Sequence, residues 1–253
     1  MSKYNIGRLL DGSLESYYWL GFIAADGSFY PNRTRITMQL GIADQEHLKK
    51  ACEFLGKKYT TKYSFNFMDK NIVPKIAQVI GIPDGVVKTE CIPILTKFDE
   101  MFDEAFISFF VGFVDGDGCI KLQTNRASAL IAIKLYHTWE NFLNYCYQRL
   151  GTIYGFIPGR ASLNKSGYAR VHIGNFKLLK DLKRFVVDNQ LPVLGRKWGV
   201  IDEHFTTKDE DVLNLILKIK LLEKYQVPPT VIAEVLNVHI SQIYNIRNKE
   251  VSH

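Results

Sequence analysis

A nine-residue pattern occurs twice in this chain, and the repetition restricts the fold more than any other feature. Residues 19–27 read WLGFIAADG and residues 110–118 read FVGFVDGDG, with Gly, Phe, Asp and Gly at matching offsets ninety-one residues apart. Matching segments follow each copy. RITMQL (35–40) and LIAIKL (130–135) read as strands. DQEHLKKACEFLG (44–56) and TWENFLNYCYQRLG (138–151) have helical spacing and end at Gly56 and Gly151, where a helix is expected to stop. KYSFNFM (62–68) and YARVHIG (168–174) alternate as strands do, and IVPKIAQVIG (72–81) and FKLLKDLKRFV (176–186) again read as helices. The pattern predicts an α+β fold of two pseudo-symmetric αββαββα halves, 1–95 and 96–205. The turn-forming stretch 82–102 joins them.

Residues 206–253 carry no strand pattern. An amphipathic helix is expected from 206. Pro229 and Thr230 then suit a second helix start, with Val231, Ile232, Val235 and Leu236 as its apolar face. A turn at Asn237 and a short helix near Ser241, with Ile240, Ile243 and Ile246 inward, complete a helix-turn-helix. Its outer face carries His239, Ser241, Gln242, Asn245, Arg247 and Lys249, residue types that hydrogen-bond base edges and phosphates. A plain helical cap is the competing reading.

Read as helices, the repeats place Gly21 and Ala25 one turn apart on one face, and Gly112 and Gly116 likewise. Small residues at that spacing let two helix backbones approach closely. Asp26 and Asp117 then stand at the C-terminal ends, where the helix dipole disfavours a carboxylate. Close packing brings these two like charges together, so a cation is needed. A few carboxylates with water and phosphate oxygens suit a hard divalent ion such as Mg²⁺, and that chemistry points to phosphodiester hydrolysis. Asp115 faces elsewhere, and its counterpart Ala24 is not acidic, so it stays outside the expected site.

Composition agrees without deciding. Thirty-two Lys and Arg against 26 Asp and Glu give a net charge of +6, which fits a polyanionic partner. Four scattered cysteines exclude a zinc ribbon and a disulfide framework. With no signal-peptide stretch or membrane span, a soluble intracellular protein is expected. On the strands, alternation turns Ile36, Met38 and Leu40 inward and Arg33, Arg35, Thr37 and Gln39 outward. Lys62, Ser64 and Asn66, then Lys121, Gln123, Asn125 and Lys134, then Tyr168, Arg170 and His172 form the rest of the polar faces. His47 and His204 read as solvated.

The two repeats resemble the paired motifs of single-chain LAGLIDADG homing endonucleases, and the duplication resembles that family over about residues 10–200, with a helix-turn-helix added. The resemblance implies that the motif helices form the interface between the halves. It also implies that Asp26 and Asp117, with the backbone carbonyls of Ala25 and Gly116, hold divalent ions: Mg²⁺ or Mn²⁺, with Ca²⁺ binding but not supporting cleavage. The sheets become a saddle on the major groove of double-stranded DNA, and cleavage crosses the minor groove, leaving short 3′ overhangs. The family's basic residue on a late strand is usually Lys. Here Arg170 takes that place, Asn66 the comparable one in the first half, and Lys121 and His137 are weaker candidates. A working monomer follows from the fused halves. Two alternatives share the scaffold, a maturase that binds intron RNA and a catalytically silent DNA-binding regulator. The intact pair of acids favours the nuclease.

Overall fold

The helix that carries the first motif starts where a serine can cap it. In the computed structural model of the protein, which describes residues 5–30, 32–59, 64–123 and 128–244, Ser13 Oγ accepts a bond from the Ser16 amide at 3.1 Å. Helix α1 then spans Leu14–Asp26. Strands β1 (Ser28–Phe29) and β2 (Arg35–Gln39) follow. Helix α2 (Gln45–Phe54), strand β3 (Ser64–Met68) and helix α3 (Ile72–Val79) complete the first half. A single turn, α4 (Thr96–Asp99), precedes the second motif helix, α5 (Asp103–Asp117). The second half continues with β4 (Gly118–Gln123), β5 (Ser128–Tyr136) and α6 (Glu140–Tyr154). It closes with β6 (Ser162–Leu163), β7 (Tyr168–Ile173) and α7 (Phe176–Asp188). The second half shows the expected order of elements in full, whereas the first shows one strand, β3, between α2 and α3 among the described residues, where two were expected.

Both sheets are antiparallel. The second runs β4-β5-β7-β6, and the first runs β1-β2-β3 among the described residues. Alternation fixes the register because each sheet buries one face. Ile36, Met38, Phe65 and Phe67 lie inward on the first sheet, and Ile131, Ile133, Val171 and Ile173 on the second. The motif helices are buried nearly all round, through Tyr18, Trp19 and Phe22 on α1 and Phe106, Phe109 and Phe113 on α5.

Two boundaries differ from expectation. Helix α6 does not end at Gly151 but continues to Tyr154, because the left-handed residue that stops it is Gly155, at φ 67°. Helix α8 spans Gly195–Lys224 rather than opening at 206, so His204 lies within a helix. By internal contacts the chain divides into two compact units, 1–201 and 202–253.

The smaller unit has its own apolar core of Ile219, Ile232, Ala233 and Ile243, packed with Leu215, Leu222, Leu236 and Ile240. Helix α9 (Pro229–Val235) begins at a proline, and Asn237 takes the left-handed turn conformation at φ 51°. Residues 240–244 are helical again. The buried face of α9 is Ile232 and Ala233, whereas Val231 and Val235 point outward at 41% and 64% exposure. The apolar stripe is thus rotated from the expected one, toward Ile219 and Ile243. Among the described residues no helix is long and apolar enough to cross a membrane.

Candidate functional site

The contact between α1 and α5 is built backbone to backbone. A Cβ added at Gly21 would collide with the Phe109 carbonyl, and one at Gly112 would collide with the Tyr18 carbonyl. These two contacts are the same contact seen from either half, since both pairs are related by the ninety-one-residue offset. A Cβ at Gly116 would overlap that of Ala25. Glycine is required here by proximity, not by backbone conformation.

This packing places the last residues of both helices, Asp26 and Asp117, at one end of the pair. Burial pushes the Asp26 carboxyl up to about 6, the charge of Asp117 adds to the rise, and Lys88 and Lys197 oppose it. Burial also raises Asp117, again against the pull of Lys88 and Lys197. Two acids at neighbouring negative helix ends are the arrangement expected of the repeats.

The sequence reading did not find the two lysines that the fold brings to this point. Lys88 Nζ donates to the Ala25 carbonyl. Lys197 Nζ donates to the carbonyls of Val114 at 3.1 Å, Gly116 at 3.2 Å and Gly118 at 2.7 Å, and also to that of Asp115. Ala25 and Gly116 are equivalent positions of the repeat. Burial lowers the Lys88 ammonium, and Asp117 and Asp26 pull it back up. A signal was available: each half contains Pro followed five residues later by Lys, in IPDGVVK (82–88) and LPVLGRK (191–197).

A cleft of about 200 Å³ opens at this end of the helices, lined by Ala25, Lys88, Asp117, Lys134, Tyr136 and Tyr168. The donors available to a cation are two carboxylates and the carbonyls of Ala25 and Gly116, all hard oxygens. Repulsion between the acids is the imbalance that a divalent ion would relieve, so these residues fit such an ion.

On the second sheet Lys121, Lys134, Arg170 and His172 are exposed on the outer face. Lys134 pairs across the ladder with Arg170, and its ammonium sits 4.2 Å from the Tyr168 ring centroid. Burial lowers the His172 ring below its ordinary value, and the charges of Arg170 and Lys121 lower it further. On the first sheet Gln39 and Asn66 are exposed, Thr37 and Ser64 half-buried, and the Arg35 guanidinium lies 3.8 Å from the Tyr30 ring centroid. Thr37 Oγ1 donates to Asn66 Oδ1 at 2.5 Å. Lys88 and Lys197 contact the carbonyls at the ends of the motif helices and Lys134 lines the cleft with Asp117, whereas Arg170 stands beside Lys134 on the same sheet face.

Two expectations fail. Arg33 is not on the outer face. It is 7% exposed in a left-handed turn at φ 53°, and its guanidinium donates to the carbonyls of Pro83, at 3.0 Å, and Val86. It thereby braces the stretch that carries Lys88. His47 is not solvated but buried at 2% exposure, with its Nε2 2.8 Å from Tyr18 Oη. Burial drops its ring to about 3. Ser241 and Gln242 are exposed as expected, and the Ser241 hydroxyl meets His239 Nδ1 at 2.7 Å. Lys62, Asn125, Asn245, Arg247, Ile246 and Lys249 lie outside the described residues, and Gln123 is placed on β4 by its backbone alone.

No protein-family profile and no curated protein matches the chain. Among solved structures, the LAGLIDADG meganuclease I-AabMI bound to uncleaved DNA matches with 12% identity and a TM-score of 0.49, over 79% of this chain and 92% of that one. The LAGLIDADG homing endonuclease I-LtrWI bound to target DNA matches with 12% identity and a TM-score of 0.47, over 87% and 96%. I-SmaMI bound to cleaved DNA matches with 13% identity and a TM-score of 0.46, over 91% and 94%.

Proposed function

We propose that this protein is a sequence-specific endonuclease that hydrolyses both strands of a DNA duplex with the help of divalent metal. One observation carries the reading: two acids end two helices packed backbone to backbone, and each acid is preceded by a carbonyl that a lysine contacts. A structural role alone does not account for raised carboxyls placed in mutual repulsion at both helix ends.

Asp26 and Asp117, with the Ala25 and Gly116 carbonyls, would hold the ion, which when bound supplies charge stabilisation to the phosphate under attack. The remaining work falls to the chain itself. Water attacks phosphorus in line with the leaving sugar oxygen and gives up its proton to solvent, and the P–O bond opposite breaks as the sugar oxygen takes a proton. Lys88, which lines the cleft with Asp117, is set to neutralise charge on the phosphate or to protonate the leaving oxygen. The outer cations Lys121, Lys134 and Arg170 suit backbone phosphates. Thr37, Gln39, Ser64 and Asn66 suit base edges, and Arg35 and His172 complete the face. Residues 206–253 act as a helix-turn-helix that lengthens the read site through Ser241 and Gln242.

The test is incubation of the full chain, with and without Mg²⁺, with a duplex that joins the two stretches flanking its own gene. Metal-dependent double-strand cleavage, lost in Asp26→Asn and in Asp117→Asn, is expected. Tight binding without cleavage would instead show a silent regulator, and selective binding of the flanking RNA would show a maturase.

A further inference from the structure

Three departures from the internal symmetry meet at one point. Tyr18 stands where the second half has Phe109, and Asp115 stands where the first half has Ala24. His47 on α2 packs on Phe22 with ring centroids 4.9 Å apart, as Phe142 on α6 packs on Phe113 at 5.0 Å. Each of these polar residues thus has an apolar counterpart. They are bonded to one another: Tyr18 Oη donates to Asp115 Oδ2 at 2.7 Å and lies 2.8 Å from His47 Nε2. The network exists once, not twice, and crosses from α1 to α5.

Its far end holds the segment that carries Lys197. Asp115 Oδ2 accepts from the Leu194 amide at 2.9 Å, and Oδ1 accepts from Trp198 Nε1 at 2.8 Å. Those donors flank Lys197 on both sides. Asp115 is 1% exposed and Trp198 is fully buried, so neither bond competes with water. With its segment fixed at both ends, Lys197 directs its ammonium at four backbone carbonyls around the end of α5. The Lys88 segment is held differently, through the Lys88 carbonyl, which accepts from Trp139 Nε1 at 3.1 Å, and through Arg33. Lys88 itself lines the cleft, whereas Lys197 does not.

We infer that Asp115 is a positioning residue for Lys197, and that through it the two halves of the site are unequal, so that the two strands of a bound duplex are cut at different rates. The first clause stands on the geometry alone; the second rests on the endonuclease reading.

Two measurements on the full chain separate them. In the first, amine-labelling rates of Lys88 and Lys197 are followed by mass spectrometry on metal-free protein. Asp115→Ala, which removes both anchors, is expected to speed labelling of Lys197 at least tenfold, while Lys88 is unchanged. Asp115→Asn keeps one acceptor oxygen but turns an NH2 donor toward the remaining donor, so it should restore only part of the protection. Should Asp115→Ala fail to fold, Trp198→Phe removes one of the two anchors and is expected to give a smaller rise at Lys197 only. Labelling that changes equally at both lysines, or at neither, overturns the positioning role.

In the second, strand-resolved nicking with Mg²⁺ is measured on a duplex that the wild type has selected from a randomised library. The variants are expected to slow one strand about tenfold and spare the other, a bias that general destabilisation cannot produce. Equal slowing of both strands, or none, overturns the inequality. If the wild type cuts no duplex at all, the endonuclease reading falls, and with it the clause on unequal strands, while the labelling result still decides the positioning role.

Discussion

The two halves share a backbone plan but solve the burial of the motif helices differently. In the second half the helix rests on aromatic carbon, with Phe113 against Trp139 and Phe142. In the first, the equivalent Phe22 rests on the His47 ring, whose polar edge must then be satisfied by Tyr18. The outer sheet faces differ as well: the second is cationic, through Lys121, Lys134 and Arg170, whereas the described outer face of the first is mostly uncharged. The two halves thus share the glycine at the crossing and the acid that ends each motif helix, and differ in the rest. Symmetric requirements should respond symmetrically to mutation, and divergent ones should not.

The acids come first, with the largest effect. Asp26→Asn and Asp117→Asn are each expected to lower cleavage by about 10³-fold or more, because either loss removes half of the carboxylate pair. The same substitutions remove like-charge repulsion and should raise the unfolding midpoint of the metal-free protein. Kinetic assay and thermal melts of the same samples check both. An inactive but less stable Asp26→Asn protein would argue against a site held under strain. Next are the crossing glycines. Gly21→Ala and Gly112→Ala should each cost about 3 kcal/mol by denaturant titration, since a methyl must displace backbone from backbone. A clear inequality between them would break the symmetry of the interface. At the neighbouring level, Gly116→Ala should be destabilising alone and largely rescued by Ala25→Gly, which removes the methyl it strikes.

These positions were the most legible in the sequence, because the constraint at each is local. A small residue every fourth position and an acid at the helix end are visible without knowing the partner. The strands were legible for the same reason: alternation at 35–40 and 168–174 states which side is buried. Arg33, His47, Lys88 and Lys197 were not, because each is defined by a contact distant in sequence. Arg33 was assigned outward by extending the strand alternation past its first residue, Arg35, into a turn with φ above zero. His47 sits on a helix whose neighbours Glu46 and Lys49 are exposed, so only the tertiary position of Tyr18 reveals it as buried. The apolar face of α9 was misread by one position because Ile219, from another helix, decides which side is inside.

His47 gives the first half one acid-sensitive group, opposed below about pH 6 by Asp26, whose raised carboxyl takes up a proton in the folded state. Unfolded, its ring takes a proton near the ordinary value of about 6.5; folded, it resists protonation down to about 3. The folded state then binds fewer protons than the unfolded one between those limits, so stability is fully present above about 6.5 and is lost as pH falls toward 3. At pH 4.5 the loss attributable to this ring is on the order of 2–3 kcal/mol relative to neutral pH. His47→Phe, which gives the first half the residue found in the second, should flatten that part of the curve in denaturation titrations across pH 4 to 7. An unchanged slope would mean that other groups carry the acid sensitivity.

The smallest effect tests the contrast between the sheet faces. If the cations of the second sheet meet phosphates, each contributes a share of counterion release, so log K for a duplex falls with log salt by about 0.9 less for every such contact removed. Lys121→Met should therefore weaken binding a few-fold at moderate salt and reduce the salt slope by about one. Thr37→Ala on the first sheet carries no charge and should leave the slope unchanged. On the proposed reading, in which its hydroxyl, shared with Asn66, meets a base edge, it should instead relax preference at one base pair. Binding isotherms across a salt series, on a selected site and on its single-base variants, separate the two outcomes. Equal slope changes in both variants would mean that the two faces meet the duplex in the same way, and that the difference in charge between them reflects drift between the halves rather than a division of labour.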